Sequence, residues 1–256
     1  MSDTELLALA DRLARAAGAT IMAVRAAGFT VRDKSDSSPV TAADTAAEAL
    51  ILAGLRQATP AIAAIAEEAM ADGAQTVPGE RFWLVDPLDG TREFAGGSDD
   101  FTVNIGLVQG NRPLLGAVYV PASDEMFTAI VGVGAWKQDR SGHRRIASRA
   151  PPAAGAVVLA SRHHGADSRE AAWIADRAVS QVVRMGSAVK FLRIAEGTAD
   201  LYPRFGRTME WDTAAPQAVL EAAGGVVLRA DETPLEYRKP GWDNPAFFCF
   251  GQDPRR

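Results

Sequence analysis

The stretch W-L-V-D-P-L-D-G-T-R-E-F, residues 83–94, is the most informative part of this chain, because a strand-like apolar run leads directly into clustered polar groups. Asp86 and Asp89 flank a proline at the end of that run. Two carboxylates this close repel each other in a dry site unless a cation is present, and hard divalent ions such as Mg²⁺ bind such oxygens together with substrate phosphate. Gly90 and Thr91 then offer backbone N–H groups where a helix could begin, which suits a phosphate oxygen. The segment predicts a metal site and a phosphate site in one turn.

Two other segments supply acids that could reach the same site. The apolar run 61–66 ends in Glu67 and Glu68, and Asp212 stands where an Ala-rich helical pattern begins. Each has an ordinary alternative explanation, because a Glu pair after a strand is commonly a solvated strand end and Asp is a favoured helix N-cap. From the residues alone, both alternatives stay open.

Together these segments resemble the inositol monophosphatase superfamily of Mg²⁺-dependent, lithium-sensitive phosphatases. The resemblance rests on the E-E pair, on D-P-L-D-G-T from Asp86, and on W-D at 211–212, and it extends over nearly the whole chain. The stretches 186–191, 195–206 and 208–215 are similar to the 3'(2'),5'-bisphosphate nucleotidases of bacterial sulfur assimilation. The resemblance therefore implies removal of the 3'-phosphate of 3'-phosphoadenosine 5'-phosphate, which leaves AMP and phosphate.

The resemblance also implies roles for individual residues. It predicts that two or three Mg²⁺ ions are bound by Glu67, Asp86, Asp89, Asp212 and the backbone carbonyl of Leu88. Thr91 and Asp44 match the pair that orients and deprotonates the attacking water, and Glu67 is counted with them as catalytic. For Asp44, the residues alone leave open a simpler role as a favourable charge at a helix N-terminus.

Substrate contacts are expected mainly from the second half of the chain. Lys190 and Arg204 could meet a nucleotide phosphate, and the amides of 186–188, including Gly186 and Ser187, could surround the ribose. The alternative for both cations is an ordinary surface position. On the metal side, substrate would contact Gly90, Thr91 and Asp212. Arg207 stands where related nucleotidases often carry proline.

The polar loop 33–38 resembles a mobile loop of the superfamily that closes over the site and helps to hold the third metal. The alternative is an exposed polar loop without a ligand. The three histidines, His143, His163 and His164, are predicted to be non-catalytic, because a carboxylate site for hard Mg²⁺ does not need imidazole.

Composition narrows the class of protein. The chain has 256 residues, of which 47% are apolar and 23% charged, as in ordinary globular proteins. A net charge of −5 argues against a polymeric nucleic-acid binder. The single cysteine, Cys249, lies among phenylalanines and is predicted to be a core residue in a reducing compartment. Neither a signal peptide nor a run of about 20 apolar residues is evident, so a cytoplasmic location is predicted.

The order of elements predicts a mixed α/β fold of the α+β kind. Apolar spacing indicates helices over 4–27 and from 41 to about 57, and short strands between 82 and 131 indicate a largely antiparallel sheet. A Pro-Pro pair at 151–152 suggests two halves: 1–150 with most metal ligands, and 151–256 with the substrate contacts and Asp212. In the second half, strand 156–160, helix 168–179, strand 181–185 and helix 187–196 alternate. The resemblance implies a layered α-β-α-β-α arrangement.

Three functions stay open from the sequence. The first is the bisphosphate nucleotidase with a small phosphorylated substrate, and the second is an inositol monophosphatase or a fructose-1,6-bisphosphatase-type sugar phosphatase. The third is a silent module that binds phosphate or metal, which is disfavoured because all the motif acids are present. Lys190 and the stretch 202–206 favour the nucleotide, since a neutral inositol ring needs no cation for a second phosphate. The resemblance further implies inhibition by Li⁺, and it allows either a monomer or a homodimer.

Overall fold

The computed structural model describes residues 1–33, 39–162 and 167–255. Within them, the helices are α1 (Asp3–Ala27), α2 (Ala42–Ala58), α3 (Glu67–Ala71), α4 (Thr91–Ala95), α5 (Ser168–Ala175), α6 (Val189–Ala195) and α7 (Glu210–Ala222), with a 3₁₀ turn at Pro240–Trp242. The strands are β1 (Arg32–Asp33), β2 (Pro39–Val40), β3 (Ala63–Ala66), β4 (Arg81–Asp89), β5 (Thr102–Gln109), β6 (Arg112–Val120), β7 (Glu125–Ile130), β8 (Gly134–Asp139), β9 (Gly142–Ile146), β10 (Ala156–Ser161), β11 (Val179–Met185), β12 (Leu201–Arg204), β13 (Thr208–Met209), β14 (Val226–Arg229), β15 (Asp243–Asn244) and β16 (Phe247–Phe250).

The two N-terminal helices form where the apolar spacing predicts them, and local caps set where they begin. The Ser2 hydroxyl accepts the Glu5 N–H, and the Glu5 carboxylate accepts the Ser2 N–H, which is a reciprocal capping box. Thr41 and Asp44 cap α2 in the same way. The predicted helices over 4–27 and 41–57 are confirmed. One end of each helix is thus encoded by neighbours in sequence.

A seven-stranded sheet in the order β3-β4-β5-β6-β7-β8-β9 forms the centre of the N-terminal half. Only its β3–β4 pair is parallel, so the predicted largely antiparallel sheet is confirmed. Strand β4 is longer than the predicted 82–85 and continues past Pro87. Its pairing with β5 shifts register between Asp86 and Asp89, which accommodates a proline that cannot donate a ladder hydrogen bond.

Alternation along β4 separates two packed faces of this sheet. Trp83 and Val85 join the core with α1 and α2, whereas Phe82 and Leu84 join the core that includes residues of α7. The helix α7 lies so close to the sheet that a Cβ on Gly106 would be 2.7 Å from the Ala215 nitrogen. Helices therefore cover both faces of the large sheet.

A second, five-stranded sheet in the order β11-β10-β12-β16-β14 lies beyond α6 and α7. Side chains of both helices, including Leu192 and Val219, share one buried cluster with Phe127 of the large sheet and with Val227 and Cys249 of the small sheet. On the outer face of the small sheet, residues of α5 pack against β10 and β12. The predicted α-β-α-β-α order and the core position of Cys249 are both confirmed.

One element prediction in the second half was wrong in detail, and one strand was missed. The helix predicted over 168–179 ends at Ala175, because Val179 already pairs in parallel with Ala156 as the start of β11. The stretch Leu201–Arg204 was not predicted as a strand, yet it forms β12 between β10 and β16. Long-range pairing decides both cases. The division into halves at residue 150 stays a prediction.

A buried ionic cluster connects the large sheet to α6. Lys137 of β8 contacts Glu125 of β7 and lies 2.7 Å from Glu196, which follows α6, and Arg193 of α6 pairs with both carboxylates. Burial alone would raise the pKa of Glu125, but the hydrogen bonds from Arg193 and Lys137 outweigh it and lower that pKa to about 2. The cluster holds α6 at a defined place over the sheet.

Among the described residues, no helix combines the length and apolar character needed to cross a bilayer.

Candidate active site

A cavity of about 400 Å³ opens where the two sheets and their connecting segments meet. Most of the residues predicted for the site line it: Glu67, Asp89, Gly90, Thr91, Gly186, Ser187, Lys190, Arg204 and Asp212. Three predicted residues, Asp44, Asp86 and Leu88, are not among the lining residues. Asp44 and the Leu88 carbonyl contact the lining residue Thr91, and Asp86 accepts the Leu88 N–H. The fold thus brings together groups that are up to 145 positions apart, from Glu67 to Asp212 (212 − 67).

The turn between β4 and α4 has the geometry that the sequence suggests. Gly90 adopts φ +94° and forms the N-terminal boundary of α4, which begins at Thr91. A Cβ at this position would be 2.9 Å from the Asp100 carbonyl oxygen and 3.1 Å from the Ser187 Cβ. Only glycine combines this backbone conformation with so close an approach of the two halves. The predicted helix start after the D-P-L-D-G motif is confirmed.

Thr91 and Asp44 meet as the resemblance implies. The Thr91 hydroxyl lies 2.9 Å from Asp44 Oδ1 and 3.1 Å from the Leu88 carbonyl oxygen, so its one proton can be donated to either acceptor. The other Asp44 oxygen accepts the Thr41 N–H at 2.8 Å and the Thr41 hydroxyl at 2.7 Å. Asp44 therefore has both the predicted contact and the alternative helix-capping role, because each uses a different carboxylate oxygen.

The environment of the Asp44 carboxylate makes it a better proton acceptor. Burial raises its pKa, and the hydrogen bonds from Thr41 and Thr91 only partly oppose this rise. A raised pKa brings a carboxylate closer to the basicity that a general base needs near neutral pH. In this position Asp44 can take a proton that passes through the Thr91 hydroxyl.

Asp86 and Leu88 lie just below the lining residues at the bulge in β4. Asp86 is buried, with 2% of its surface exposed, and its Oδ1 accepts the Leu88 N–H at 3.1 Å. The Leu88 carbonyl oxygen faces the Thr91 hydroxyl. Their predicted roles as metal ligands stay predictions, with Asp86 the most deeply buried of the motif acids.

Three acids converge on the cavity wall and repel one another. Burial raises the pKa of Asp89 to about 6, with Lys190 opposing the rise. Burial, together with the Asp89 and Glu67 carboxylates, raises the pKa of Asp212 well above its usual value. Within the described part of the chain, no three acidic, His or Cys side chains already form a closed metal cage. The oxygen-only donor set and its mutual repulsion nevertheless suit a hard divalent cation, which would relieve the unfavourable charge.

Asp212 is not the N-cap that the sequence left open, because Met209 holds that position and Asp212 is the third residue of α7. Its Oδ2 accepts the Met209 N–H at 2.9 Å in the first turn of α7. As with Asp44, one carboxylate stabilises a helix start and faces the site at the same time. A residue in the first turn of a helix is held by the backbone, so this placement gives the acid a fixed position.

Glu67 is placed by a residue that the sequence analysis missed. Glu67 is the first residue of α3, and the next two backbone N–H groups, of Glu68 and Ala69, donate to the carboxylate of Glu48 at 2.7 and 2.8 Å. Glu48 is buried on α2, four positions after Asp44 and therefore on the same helix face. That spacing of two acids on one helix face is the signal that could have indicated it.

Lys190 is not an ordinary surface cation. Only 4% of its surface is exposed, and its Nζ donates to the Ser187 carbonyl oxygen at 2.6 Å and to the Met185 carbonyl oxygen at 3.3 Å. Burial lowers its pKa to about 8, although the Asp89 carboxylate opposes that change. Lys190 thus combines a cavity-lining charge with a brace on the preceding loop.

Further cations line the same cavity. Arg204 is 9% exposed, and its guanidinium donates to the Ser161 hydroxyl at 2.7 Å and to the Arg207 carbonyl oxygen at 3.1 Å. The surface-cation alternative for Arg204 is therefore wrong as well. Arg207 pairs with Asp243 at 2.6 Å. Sequence analysis did not single out two more cations that line the cavity, Arg92 and Arg162.

The predicted role of the loop 186–188 needs a correction. The Gly186 N–H donates to Asp100 Oδ2 at 3.2 Å, and the Ala188 N–H donates to Asp89 Oδ2 at 2.5 Å. Both amides are therefore already used to tie the second half of the chain to the first, and the predicted ring of backbone donors around a ribose is not available from them. Ser187 lines the cavity between the two amides.

Some predictions fall on other parts of the chain. His163, His164 and residues 34–38 of the polar loop lie outside the described residues. His143 is exposed on β9 and is not among the residues that line the cavity.

Comparisons with known proteins agree with the fold. The sequence profile of the inositol monophosphatase family matches residues 2–246. The 3'(2'),5'-bisphosphate nucleotidase CysQ of Escherichia coli O157:H7 is 43% identical over 241 residues, which cover 92% of this chain and 96% of that protein. CysQ of Buchnera aphidicola is 38% identical over 218 residues, covering 84% and 81% respectively.

Solved structures of related proteins share the fold of this chain. CysQ from Bacteroides thetaiotaomicron, at 34% identity, has a TM-score of 0.80 and covers 96% of this chain and 97% of that chain. Inositol monophosphatase from Anabaena, at 28% identity, has a TM-score of 0.78 and covers 98% and 92%. With a family profile matched over almost its whole length and relatives above 40% identity, this chain belongs to the inositol monophosphatase family.

Proposed function

We propose that this protein is a Mg²⁺-dependent phosphatase that hydrolyses the 3'-phosphate of 3'-phosphoadenosine 5'-phosphate to AMP and phosphate. The observation that carries the proposal is one cavity lined by both acids and cations. Acids suited to divalent cations line it together with the buried cations Lys190 and Arg204. Such a cavity can hold one phosphate at metal ions bound by the acids and a second anionic group at the cations.

The names of the relatives favour this substrate over the sugar-phosphatase alternative. The relatives at 43% and 38% identity are both named 3'(2'),5'-bisphosphate nucleotidase. The structure named as an inositol monophosphatase is more distant, at 28% identity. A substrate with two phosphates also gives the buried cations Lys190 and Arg204 a function beyond the hydrogen bonds that they donate to neighbouring residues.

The ions would be held by Glu67, Asp86, Asp89, Asp212 and the Leu88 carbonyl. When bound, Mg²⁺ supplies charge stabilisation for the phosphoryl oxygens and the departing alkoxide. The backbone N–H groups at the start of α4 would add hydrogen-bond donors for the same phosphate. Because these groups come from three separate segments, they are held in place by the tertiary fold before substrate arrives.

Thr91 and Asp44 would prepare the attacking water. The Thr91 oxygen can accept a hydrogen bond from that water while its own proton points to Asp44 Oδ1, 2.9 Å away. As the bond from the water oxygen to phosphorus forms, the bond from phosphorus to the 3'-oxygen breaks, and the water proton passes to the Thr91 oxygen while the Thr91 proton passes to Asp44. The raised pKa of Asp44 favours this transfer. The released 3'-oxygen takes up a proton from solvent water to become the 3'-hydroxyl.

Phosphate release in the presence of Mg²⁺ tests the proposal directly. We would compare kcat/KM for 3'-phosphoadenosine 5'-phosphate, inositol 1-phosphate and fructose 1,6-bisphosphate. The nucleotide should be preferred, and Asp89→Asn should abolish release. A matched control, Asp11→Asn, neutralises an acid that pairs with Arg15 on α1 and should have little effect. A preference for inositol 1-phosphate or fructose 1,6-bisphosphate would instead support the sugar-phosphatase alternative.

Several finer properties belong to the same proposal. Li⁺ should inhibit, because it resembles Mg²⁺ in size but carries one charge and stabilises the developing negative charge less well. A cytoplasmic role in sulfur assimilation and a monomeric or homodimeric state remain predictions from the family resemblance.

A further inference from the structure

The helix α2 carries two buried acids on one face, one turn apart. Asp44 and Glu48 are 1% and 5% exposed. Asp44 faces Thr91, whereas Glu48 faces the start of α3, so the two acids serve different segments of the site. Burying a carboxylate is costly unless hydrogen bonds compensate it, which makes the partners of Glu48 informative.

Both oxygens of Glu48 accept backbone N–H groups from the first turn of α3. Glu48 Oε2 lies 2.7 Å from the Glu68 nitrogen, and Oε1 lies 2.8 Å from the Ala69 nitrogen. The residue before this helix, Ala66, makes no side-chain cap. A helix of five residues has little stability of its own, so a charged acceptor at its N-terminus matters for where it begins.

We propose that Glu48 is a positioning residue for the metal ligand Glu67. Glu67 immediately precedes the two amides that Glu48 holds, and it lines the cavity. By fixing these amides, Glu48 fixes the backbone of α3 and thereby the direction in which the Glu67 carboxylate enters the cavity. This inference rests on the proposed function, because it treats Glu67 as a ligand.

The substitution Glu48→Gln tests this role with a minimal change of shape. Glutamine has one acceptor oxygen, so one of the two α3 amides loses its acceptor. The new NH₂ group is a donor and faces that backbone N–H, which is also a donor. Loss of a group that orients a metal ligand typically weakens metal binding about 10–100-fold. We expect a weakening of this size for Mg²⁺ measured by calorimetric titration, without any substrate present.

A double-mutant cycle shows whether Glu48 acts through Glu67. We would measure Mg²⁺ affinity for Glu48→Gln, for Glu67→Gln and for the double variant. If Glu48 acts through Glu67, the double variant should bind Mg²⁺ no more weakly than Glu67→Gln alone, whereas independent effects would add. The matched control is Asp200→Asn, a fully buried acid that accepts the Val157 N–H at 2.7 Å and does not line the cavity.

The control separates metal binding from general stability. Asp200→Asn should lower the melting temperature and leave Mg²⁺ affinity unchanged. Glu48→Asp keeps both acceptor oxygens but holds them farther from the α3 amides, so it should give an intermediate Mg²⁺ affinity. This variant replaces Glu48→Gln in the test if the glutamine variant does not fold. Wild-type Mg²⁺ affinity in either folded Glu48 variant, or additive losses in the double variant, would overturn the inference. Failure of the wild-type protein to bind Mg²⁺ or to release phosphate would instead count against the proposed function.

Discussion

Removing the Thr91 hydroxyl should reduce the rate far more than it reduces stability. In Thr91→Val the side chain keeps its branched shape, but Asp44 Oδ1 and the Leu88 carbonyl lose the donor that lies 2.9 and 3.1 Å away. The Asp44 carboxylate stays anchored, because Thr41 still donates twice to its other oxygen. The fold around the site should therefore survive the change.

The loss of folding stability and the loss of rate can be estimated separately. The lost hydrogen bond to a charged acceptor should cost about 1.5–3 kcal/mol of stability, which corresponds to a decrease in Tm of about 3–12 °C for a protein of this size. Loss of the general-base relay should lower kcat by about 10²–10⁴-fold, or about 3–5 kcal/mol at roughly 1.4 kcal/mol per decade. The expected loss in transition-state stabilisation exceeds the expected loss in folding stability.

The assay is phosphate release at saturating substrate and Mg²⁺, with Thr41→Val as the matched control. The control removes a hydroxyl 2.7 Å from the other oxygen of Asp44 and a helix cap worth about 1 kcal/mol, so its stability should fall similarly. Its rate should fall by less than about tenfold, because the Thr91–Asp44 contact remains. Equal rate losses in the two variants, or Thr91→Val with more than about a tenth of the wild-type kcat, would refute the relay.

Three further outcomes are expected. Lys190→Met should lower kcat/KM about 10–100-fold more for 3'-phosphoadenosine 5'-phosphate than for inositol 1-phosphate, since a charge-assisted hydrogen bond contributes about 1.5–3 kcal/mol; equal losses would limit Lys190 to bracing its loop. Mg²⁺ should raise Tm by about 5 °C or more at about pH 8 and by much less at about pH 5. The sign follows from Asp89, whose pKa is raised to about 6 in the metal-free fold. The neutral carboxyl stabilises the fold below pH about 4, and this stabilisation is lost as the pH rises through about 6. Above that pH the side chain is a carboxylate and can bind the ion. A Tm shift independent of pH would contradict this. Lys137→Met should cost roughly 3 kcal/mol in urea unfolding, because Glu125 and Glu196 lose a buried partner, and an unchanged midpoint would show that Arg193 alone neutralises them.

Local patterns were sufficient for much of the fold. The helices α1 and α2 follow from apolar spacing and capping boxes whose partners lie three residues apart. The helix start at Thr91 follows from the turn chemistry of Gly90. Interactions between near neighbours in sequence are readable without a fold, because the backbone alone brings those groups together.

Predictions failed, and one strand was missed, where contacts with a distant segment determine the structure. The stretch from Leu201 to Arg204 contains a proline and looks irregular, but it becomes a strand because β16 and β10 lie beside it. The Gly186 and Ala188 amides were expected to face a ligand, yet Asp100 and Asp89 of the other half accept their hydrogen bonds. Such pairings cannot be read from composition or periodicity, because nothing local distinguishes a free amide from one with a remote acceptor.

The sequence by itself determined the family, the chemistry of the donor groups and the local turn that presents Asp89, Gly90 and Thr91. Only the tertiary structure decided which groups meet. It buried Lys190 and Asp89, and this burial moves both pKa values toward neutrality even though each charge opposes the shift of the other. It also brought the Glu48 carboxylate to the backbone N–H of Glu68 at the start of α3. This contact could not be predicted from the sequence, because 20 positions separate the two residues. The physical reason is that charge, burial and hydrogen-bond direction depend on distances through space, and these exist only once the two sheets have packed around α6 and α7.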